Sequence, residues 1–221
     1  FNMKHVVHGA PSFAHIEMTL NAGDTLIAES GAMASMDASL DQKAKMNGNF
    51  FGALIRKFFG RESFFISHFT NMSGRDAKII ITQKAPGDIR AIKLTGGGFY
   101  IQPGAFVACE TGVKLDVKWA GFSSWVAGEG LLRNYVHGHG AVFIGGYGAI
   151  YDKEIDGEYI IDSSHIIGYS RDIKLNIGMS GGIFSSFLSG EGLVARVEGK
   201  GKVFLQSRSV RNLANFINPR L

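Results

Sequence analysis

Apolar and polar residues alternate strictly in two stretches of the chain, VKLDVKW at 113–119 and IKLNIGM at 173–179. Alternation with a period of two places one face of a strand in the core and the other in solvent. Elsewhere, short apolar runs are separated by glycine, serine or proline, as in GFYIQPGAFVACE at 98–110. Such punctuation is typical of two strands that meet at a tight turn or corner. The pattern therefore predicts an all-β chain of many short strands.

The same pattern occurs three times along the chain. FSSFLSGEGL at 184–193 matches FSSWVAGEGL at 122–131 without a gap, and IRKFFGRESF at 55–64 is a weaker copy. A second block precedes each of them, at 24–37, 98–110 and 158–170. A period of roughly 60 to 70 residues indicates one supersecondary unit used three times, whose copies bury a core only together. We therefore predict a single domain over 1–221, with repeats at roughly 16–82, 89–144 and 150–208.

Helical spacing interrupts the strands at a few places. Phe122, Trp125 and Val126 occupy positions i, i+3 and i+4, and the other two copies have the same spacing, which predicts a helix of about one or two turns in each copy. The tail at 209–218 has one apolar face before Pro219 and predicts a short C-terminal helix. That face consists of Val210, Leu213, Ala214 and Ile217.

Two pairs of glycines occupy matching places in the second and third copies, Gly138 with Gly140 and Gly199 with Gly201. Glycines with this spacing permit positive φ, and we interpret both pairs as turns, at a hairpin or a bulge, between consecutive strands. The run Gly96–Gly98 lacks a phosphate-binding pattern and precedes a strand, so we predict another turn there.

Composition narrows the class of protein. Thirty glycines and four prolines in 221 residues suit tight turns between strands and not disorder. The net charge of +4 and the pI near 9.2 come from scattered cations, which does not indicate a dedicated nucleic-acid surface. Cys109 is the single cysteine and lies between apolar residues, so we predict a buried thiol in a reducing compartment. No apolar run reaches the roughly 18 residues that span a bilayer and no secretory signal is evident, so we expect a cytoplasmic protein.

Three glutamates at matching positions, Glu62, Glu129 and Glu191, are the sharpest candidates for chemistry. If the repeats surround an axis, three carboxylates could converge and bind a divalent cation through oxygen ligands. The competing interpretation, which we favour, is that each glutamate accepts backbone N–H bonds from the flanking glycines. A structural residue of the repeat would recur in this way without any chemistry.

His137 and His139 are the only close pair of histidines. Two residues apart in an extended strand, they would present both imidazoles on one face, which suits a metal. No further cluster of cysteine, histidine or aspartate accompanies them, so we favour solvated turn residues. The serines at 123–124 and 185–186 lack a nucleophile elbow. We therefore predict no enzyme, no cofactor and no metal.

The segment 49–60 of the first copy is enlarged, aromatic and basic. Aromatic rings beside cations could stack bases and bind phosphate, or contact a membrane or a protein partner. A core-facing helix with two solvated cations is the structural alternative, and we rank it slightly ahead. A subunit interface is the leading functional interpretation, because exposed aromatic patches usually meet protein. The residues concerned are Phe50, Phe51, Arg56, Lys57, Phe58 and Phe59.

Several stretches together resemble one widespread family: AGDTLIAESGAM, LIRKFFGRESFFISHFT, APGDIRAIKL with FYIQPGAFVA, and SGEGLVARVEGKGKVFLQSR. The family comprises bacterial and archaeal proteins of unknown function, related to a fungal "altered inheritance of mitochondria" protein implicated in mitochondrial biogenesis. The resemblance runs over roughly residues 16 to 208. It implies an all-β fold like that of the tryptophan RNA-binding attenuation protein, a shortened double-stranded β-helix, and it supplies no established catalytic residue. A shared fold does not by itself license a shared function.

These observations lead to one expected function and two alternatives. We expect a non-enzymatic β-protein that associates with itself and acts as a scaffold or interaction module, with a protein partner possible. One alternative is a nucleic-acid-binding oligomer, and the other is a β-domain that binds a metal or small molecule.

Overall fold

A computed structural model describes residues 3–46, 65–102, 104–119, 132–178 and 194–218. In the first third of the chain the strands are β1 Lys4–His8, β2 His15–Leu20, β3 Thr25–Glu29, β4 Met33–Met36, β5 Leu40–Met46, β6 Phe65–Asn71 and β7 Ala77–Thr82. The middle of the chain forms β8 Gly87–Ile101, β9 Phe106–Glu110, β10 Val113–Trp119 and β11 Leu132–Tyr147. The last third forms β12 Ile150–Asp162, β13 Ile166–Ser170, β14 Lys174–Gly178 and β15 Val194–Gln206. A single 3₁₀ turn at Ser163–His165 and one helix, α1 Val210–Ile217, complete the described elements.

The described strands form two antiparallel sheets. Four strands lie in the order β1-β2-β7-β4. The other eleven follow the order β12-β15-β13-β8-β11-β9-β3-β6-β5, with β10 paired to β11 and β14 paired to β15. The predicted β protein with a short C-terminal helix is therefore confirmed. The alternating stretch at 113–119 forms β10, and residues 174–178 of the other alternating stretch form β14.

Three long ladders carry most of the strand pairing. The pairs β2·β7 and β3·β6 together make the first, β8·β11 the second and β12·β15 the third. A short strand adds to one half of each ladder: β4 to β7, β9 to β11 and β13 to β15. Each of these additions has a register shift near its start. A further strand, β5, β10 or β14, pairs with the other half.

The two glycine pairs do not form hairpin turns. Gly138 and Gly140 lie inside the sixteen-residue strand β11, and Gly199 lies inside the thirteen-residue strand β15. All three have positive φ, of 112°, 128° and 125°. The interpretation as turns between strands was wrong, because positive φ also suits a strongly twisted or bulged strand. In the first ladder, by contrast, strand β6 ends at Asn71 and a separate strand, β7, begins at Ala77.

Gly96–Gly98 also lies inside a strand and not at a turn between strands. The register of β8 against β11 shifts here, because His137 pairs with Gly98 while His139 pairs with Thr95. One extra residue on β8 is therefore accommodated as a β-bulge, and Gly96 adopts a φ of 110°. The predicted turn is thus corrected to a bulge within β8.

Alternating burial along the strands produces the core. In β2 every second side chain is buried, and Ile16, Met18 and Leu20 have no exposed surface. The strand β9 is buried at every position, because it lies in the interior of the eleven-stranded sheet. Phe69, Phe106 and Phe143 are the largest fully buried side chains among the described residues.

The helix α1 is capped by the Ser209 hydroxyl, which accepts a hydrogen bond from the Asn212 backbone N–H at 3.2 Å. It begins and ends within the predicted range, yet none of its residues is buried. Among the described residues, none of the helical segments is long and apolar enough to traverse a bilayer.

Candidate functional site

The principal candidates from the sequence lie outside the described residues. These are the three repeat glutamates, Glu62, Glu129 and Glu191, and the aromatic and basic segment at 49–60. The short helices expected before each glutamate fall in the same parts of the chain. The interface and metal hypotheses attached to these residues therefore stay predictions.

His137 and His139 are separated by the register shift of β11 against β8. The His137 ring stacks on Tyr135 with centroids 5.2 Å apart, and its Nε2 lies 3.2 Å from Asp116 Oδ2. His139 is exposed and its backbone N–H donates to the Gly112 carbonyl. Within the part of the chain that the structure describes, no group of three or more histidine, cysteine or acidic side chains could hold a metal ion.

Cys109 lies in the centre of the eleven-stranded sheet, where β9 pairs with both β3 and β11. Its side chain is 1% exposed, which confirms the predicted buried thiol. Burial, and secondarily the neighbouring Glu110 carboxylate, raise the pKa of the Cys109 thiol from 9.0 to about 12. The thiolate is the reactive form of cysteine, so this position is chemically inert in the folded protein.

We expect the native protein to resist a thiol reagent such as Ellman's reagent at about pH 8. The raised pKa of Cys109 lowers the fraction of thiolate roughly a thousandfold. In guanidinium chloride the same sample should react to one equivalent, since the chain has a single cysteine. Absorbance of the released thionitrobenzoate measures both. Rapid labelling of the native protein would contradict the burial of Cys109.

A side chain at the end of each short inserted strand accepts a hydrogen bond from the long ladder. Asp37 Oδ2 accepts from the Lys78 N–H at 2.7 Å, Glu110 Oε2 from the Ala141 N–H at 2.8 Å, and Ser170 Oγ from the Lys202 N–H at 2.9 Å. The acceptors follow β4 or end β9 and β13. This role was not predicted from the sequence, although these residues close the three aligned blocks at 24–37, 98–110 and 158–170.

Glu110 differs from the other two acceptors because it is buried and makes a further bond. Its side chain is 3% exposed, and its Oε1 accepts from the Met3 N–H at 2.9 Å. Buried backbone donors without an acceptor are costly, and this carboxylate satisfies two of them, one just before β1 and one in β11. Glu110 therefore joins the N-terminal segment to the middle ladder, and its role is structural.

Three tyrosines form a row across adjacent strands of the large sheet, and we call it the tyrosine row. Tyr169 on β13 pairs with Tyr100 on β8, and Tyr100 pairs with Tyr135 on β11. Ring centroids are 5.4 Å apart for the first pair and 5.0 Å for the second. Arg133 lies over the Tyr169 ring, with its Cζ 5.8 Å from the centroid. Tyr169 is 3% exposed, so this row mainly packs the strands together.

A cleft of about 650 Å³ lies where the ends of the ladders meet the start of α1. Its wall includes three glutamines, two of which bind backbone groups: Gln83 Nε2 donates to the Gly146 carbonyl, and Gln206 accepts from the Tyr147 N–H. Gln206 also donates to the Ser164 carbonyl at 2.9 Å. The amides of Gln83 and Gln206 thus bind backbone groups from distant parts of the chain, and their role is structural.

Charged side chains cover the first half of β12. Asp152 lies 2.6 Å from Arg90 and 2.9 Å from Lys202. The Lys202 hydrogen bond, helped by Arg90, holds the pKa of Asp152 below its ordinary value, although burial opposes this shift. Lys202 also contacts Glu154, and Lys200 contacts Asp156. This part of the strand is thus a solvated ladder of alternating charge.

Among the described residues, the second half of β12 and the helix α1 both expose large apolar side chains. Tyr159 and Ile160 are 45% and 50% exposed. On α1, Val210 is 58%, Phe216 84% and Ile217 72% exposed. A soluble chain rarely leaves several large apolar side chains exposed on adjacent positions, so both places are candidate contact surfaces.

Comparison with known proteins identifies relatives without an assigned activity. A family model described as Mitochondrial biogenesis AIM24 matches residues 5–208. An uncharacterised protein of Streptococcus pyogenes serotype M6 is 25% identical, with 96% of this chain and 88% of that protein aligned. The crystal structure of a Streptococcus pyogenes protein, a structural genomics target, is similar with a TM-score of 0.80 at 26% identity, covering 100% of both chains. Neither description states a ligand, reaction or partner.

Proposed function

The chain belongs to the mitochondrial biogenesis AIM24 family, and from this premise we propose that it is a non-enzymatic, self-associating β-protein that acts as a scaffold or interaction module. A cytoplasmic location is part of the same proposal, and it rests on the single cysteine of the sequence. The observation that carries the proposal is the exposed apolar surface of α1 and of β12.

We also infer that the three ladders are three copies of one unit, arranged as a shortened double-stranded β-helix. Each ladder receives a short strand with a shifted register, and each short strand is followed or ended by a side chain that accepts a backbone N–H. Stacked repeats bury a core mainly against their neighbours, and terminal repeats are usually capped. Among the described strands, β12 pairs only with β15 and β4 only with β7, so one side of each stays without a strand partner. Such surfaces favour association with further copies.

The helix α1 supports an interaction role independently. Val210, Leu213, Ala214 and Ile217 lie on one face at helical spacing, yet Ile217 is 72% exposed and none of the eight residues is buried. Isolated helices this short are marginal in water, because most helical stability in proteins comes from packing of the apolar face. A partner surface over Val210 and Ile217 would supply that packing.

Self-association is tested by light scattering coupled to size-exclusion chromatography over a range of micromolar concentrations. We expect a mass at least twice the 23.9 kDa of one chain, rising with concentration if exchange is fast. Analytical ultracentrifugation at the same concentrations is the control against shape effects on elution. A monomer throughout that range would contradict the proposed function.

The alternative of a nucleic-acid-binding oligomer has less support among the described residues. Bases stack on aromatic rings that are open to solvent. In the tyrosine row Tyr169 is buried, and Tyr100 and Tyr135 are half-buried. The metal or small-molecule alternative rests on Glu62, Glu129 and Glu191, which lie outside the described residues, and it stays a prediction.

A further inference from the structure

Three stretches of strand in this chain have the same position in their ladders, and we call them the receiving edges. They are residues 26–28 of β3, 99–101 of β8 and 159–161 of β12. Each pairs on one side with the first half of the returning strand: Ala28 with Ser67, Ile101 with Asn134, and Ile161 with Ala195. The opposite edge of each stretch, which faces away from the returning strand, is therefore the equivalent place for a further strand to pair.

Three short strands have the complementary position, and we call β4, β9 and β13 the inserting strands. Each pairs with the second half of a returning strand and has one register shift. The shift falls between Met33 and Ser35 in β4, between Phe106 and Ala108 in β9, and between Ile166 and Gly168 in β13. Ser35, Ala108 and Gly168 are consequently equivalent.

Two of the three receiving edges are filled within the chain. β9 adds to β3, pairing Ala108 with Ala28 and Cys109 with Ile27. β13 adds to β8 in the same register, pairing Gly168 with Ile101 and Tyr169 with Tyr100. Each inserting strand thus joins one ladder to the preceding one by antiparallel pairing.

The third receiving edge, on β12, and the third inserting strand, β4, do not pair with each other. Among the described residues, β12 pairs only with β15, and β4 pairs only with β7. The two strands lie at the ends of different sheets. One molecule therefore presents both halves of a contact that it makes twice internally.

The chemistry of both edges suits strand addition. Natural proteins protect edge strands with charged side chains, and the first half of β12 is protected in this way by Asp152, Lys153 and Glu154. The receiving edge Tyr159-Ile160-Ile161 has no charge, and Ile160 is 50% exposed. β4, with the sequence MASM, has none either, and its Ala34 and Ser35 are exposed.

We propose that copies of this chain associate head to tail, with β4 of one copy added antiparallel to β12 of the next. The register of the two internal contacts pairs Ser35 with Ile161, Met36 with Ile160, and Asp37 with Tyr159. This inference rests on the proposed function, because it assigns the surface through which the protein associates with itself. A heterologous contact of this kind generates a closed ring or an open fibre, depending on the rotation between copies.

The first test places a charge on the receiving edge. Ile160→Lys should weaken self-association by roughly tenfold or more, because a lysine on an edge strand opposes pairing. Tyr151→Lys is the matched control, since Tyr151 lies on the charged half of the same strand and is 48% exposed. Light scattering across a dilution series measures the association of both variants, and circular dichroism checks that each is folded. An unchanged dissociation constant for Ile160→Lys would overturn the proposal.

The second test reads the register between molecules. Met36→Cys and Ile160→Cys are made in separate chains, mixed and oxidised, and we expect a disulfide-linked dimer on a non-reducing gel because the paired Cβ atoms lie within about 5.5 Å. Met36→Cys mixed with Tyr151→Cys is the control and should stay uncrosslinked. The native Cys109 is buried and does not compete.

The outcomes separate this inference from the proposed function. If the wild-type protein is oligomeric but the Met36 and Ile160 cysteines do not crosslink, self-association stands and the head-to-tail contact is wrong. If the wild-type protein is monomeric, both are wrong. If the two substitutions crosslink only when they are in the same chain, β4 closes on β12 within one molecule, and the proposal is overturned.

Discussion

Gly199→Ala should lower the free energy of unfolding by roughly 3 to 5 kcal/mol, which would make it one of the most destabilising single-methyl additions in the chain. Gly199 has a φ of 125°, which L-residues rarely adopt. In addition, an alanine Cβ at this position would lie 2.5 Å from the Asp172 carbonyl oxygen and 3.6 Å from the Ile173 Cα. Both contacts are with backbone, which cannot move without disturbing the ladder.

Gly157→Ala is a matched control because Gly157 pairs directly with Gly199 across the β12·β15 ladder. Its φ is 109°, yet an added Cβ would meet no atom within 4 Å. This variant therefore has the backbone strain alone, which we expect to cost about 1 to 2 kcal/mol. Urea denaturation of both variants, followed by circular dichroism with unchanged m-values, measures the difference. Equal losses at the two positions would show that the close approach to Asp172 does not matter.

Gly138 in the second ladder has the environment of Gly199. Its φ is 112°, and an added Cβ would collide with the Gly112 carbonyl and approach the Val113 Cα at 3.5 Å. These contacts correspond to Asp172 and Ile173 in the third ladder. Glycine therefore occupies both positions because the long returning strand passes close to the corner before β10 and β14, where no side chain larger than hydrogen fits.

The sequence predicted the strands well where side-chain burial alone determines them. VKLDVKW has a period of two, and β10 covers Val113–Trp119 without an error at either end. The tail helix was predicted for a comparable reason, since apolar spacing and Pro219 bound it. In both cases the signal is local and needs no knowledge of the partner strand.

The glycine pairs were misread because their local signal is ambiguous. Positive φ is required at a hairpin turn and also at a twisted or bulged point inside a long strand. What decides between them is the length of the partner: β12 continues from Ile150 to Asp162 and holds β15 extended through Gly199. That information is separated from the glycine by about forty residues, so a local interpretation could not include it.

The acceptors Asp37, Glu110 and Ser170 were missed for a different reason. They share a function but not an identity, because any side-chain oxygen of suitable reach can accept the backbone N–H. A comparison that looks for identical residues in the three aligned blocks therefore passes over them. The alignment of the three blocks would have found them if the residues had been compared as hydrogen-bond acceptors.

Glu110→Ala should have the largest effect of substitutions at these three positions, lowering the free energy of unfolding by about 3 to 5 kcal/mol. The change leaves the Met3 and Ala141 N–H groups without the carboxylate in a buried site, and it removes the link between the N-terminal segment and the middle ladder. Ser170→Ala removes one partly buried bond to the Lys202 N–H and should cost about 1 kcal/mol. Asp37 is exposed, so Asp37→Ala should be the mildest of the three.

Glu110→Gln separates the loss of the hydrogen bonds from the creation of a cavity. Glutamine keeps the shape, but its NH₂ group must face one of the two N–H donors, so only one bond survives. We expect a loss of stability between those of Glu110→Ala and Ser170→Ala, measured by the same urea titration. A neutral Glu110→Gln together with a Glu110→Ala no worse than Ser170→Ala would mean that the carboxylate is dispensable to the fold. A buried acid that stability does not require would then have to be explained by function, and Glu110 would become the first position to search for it.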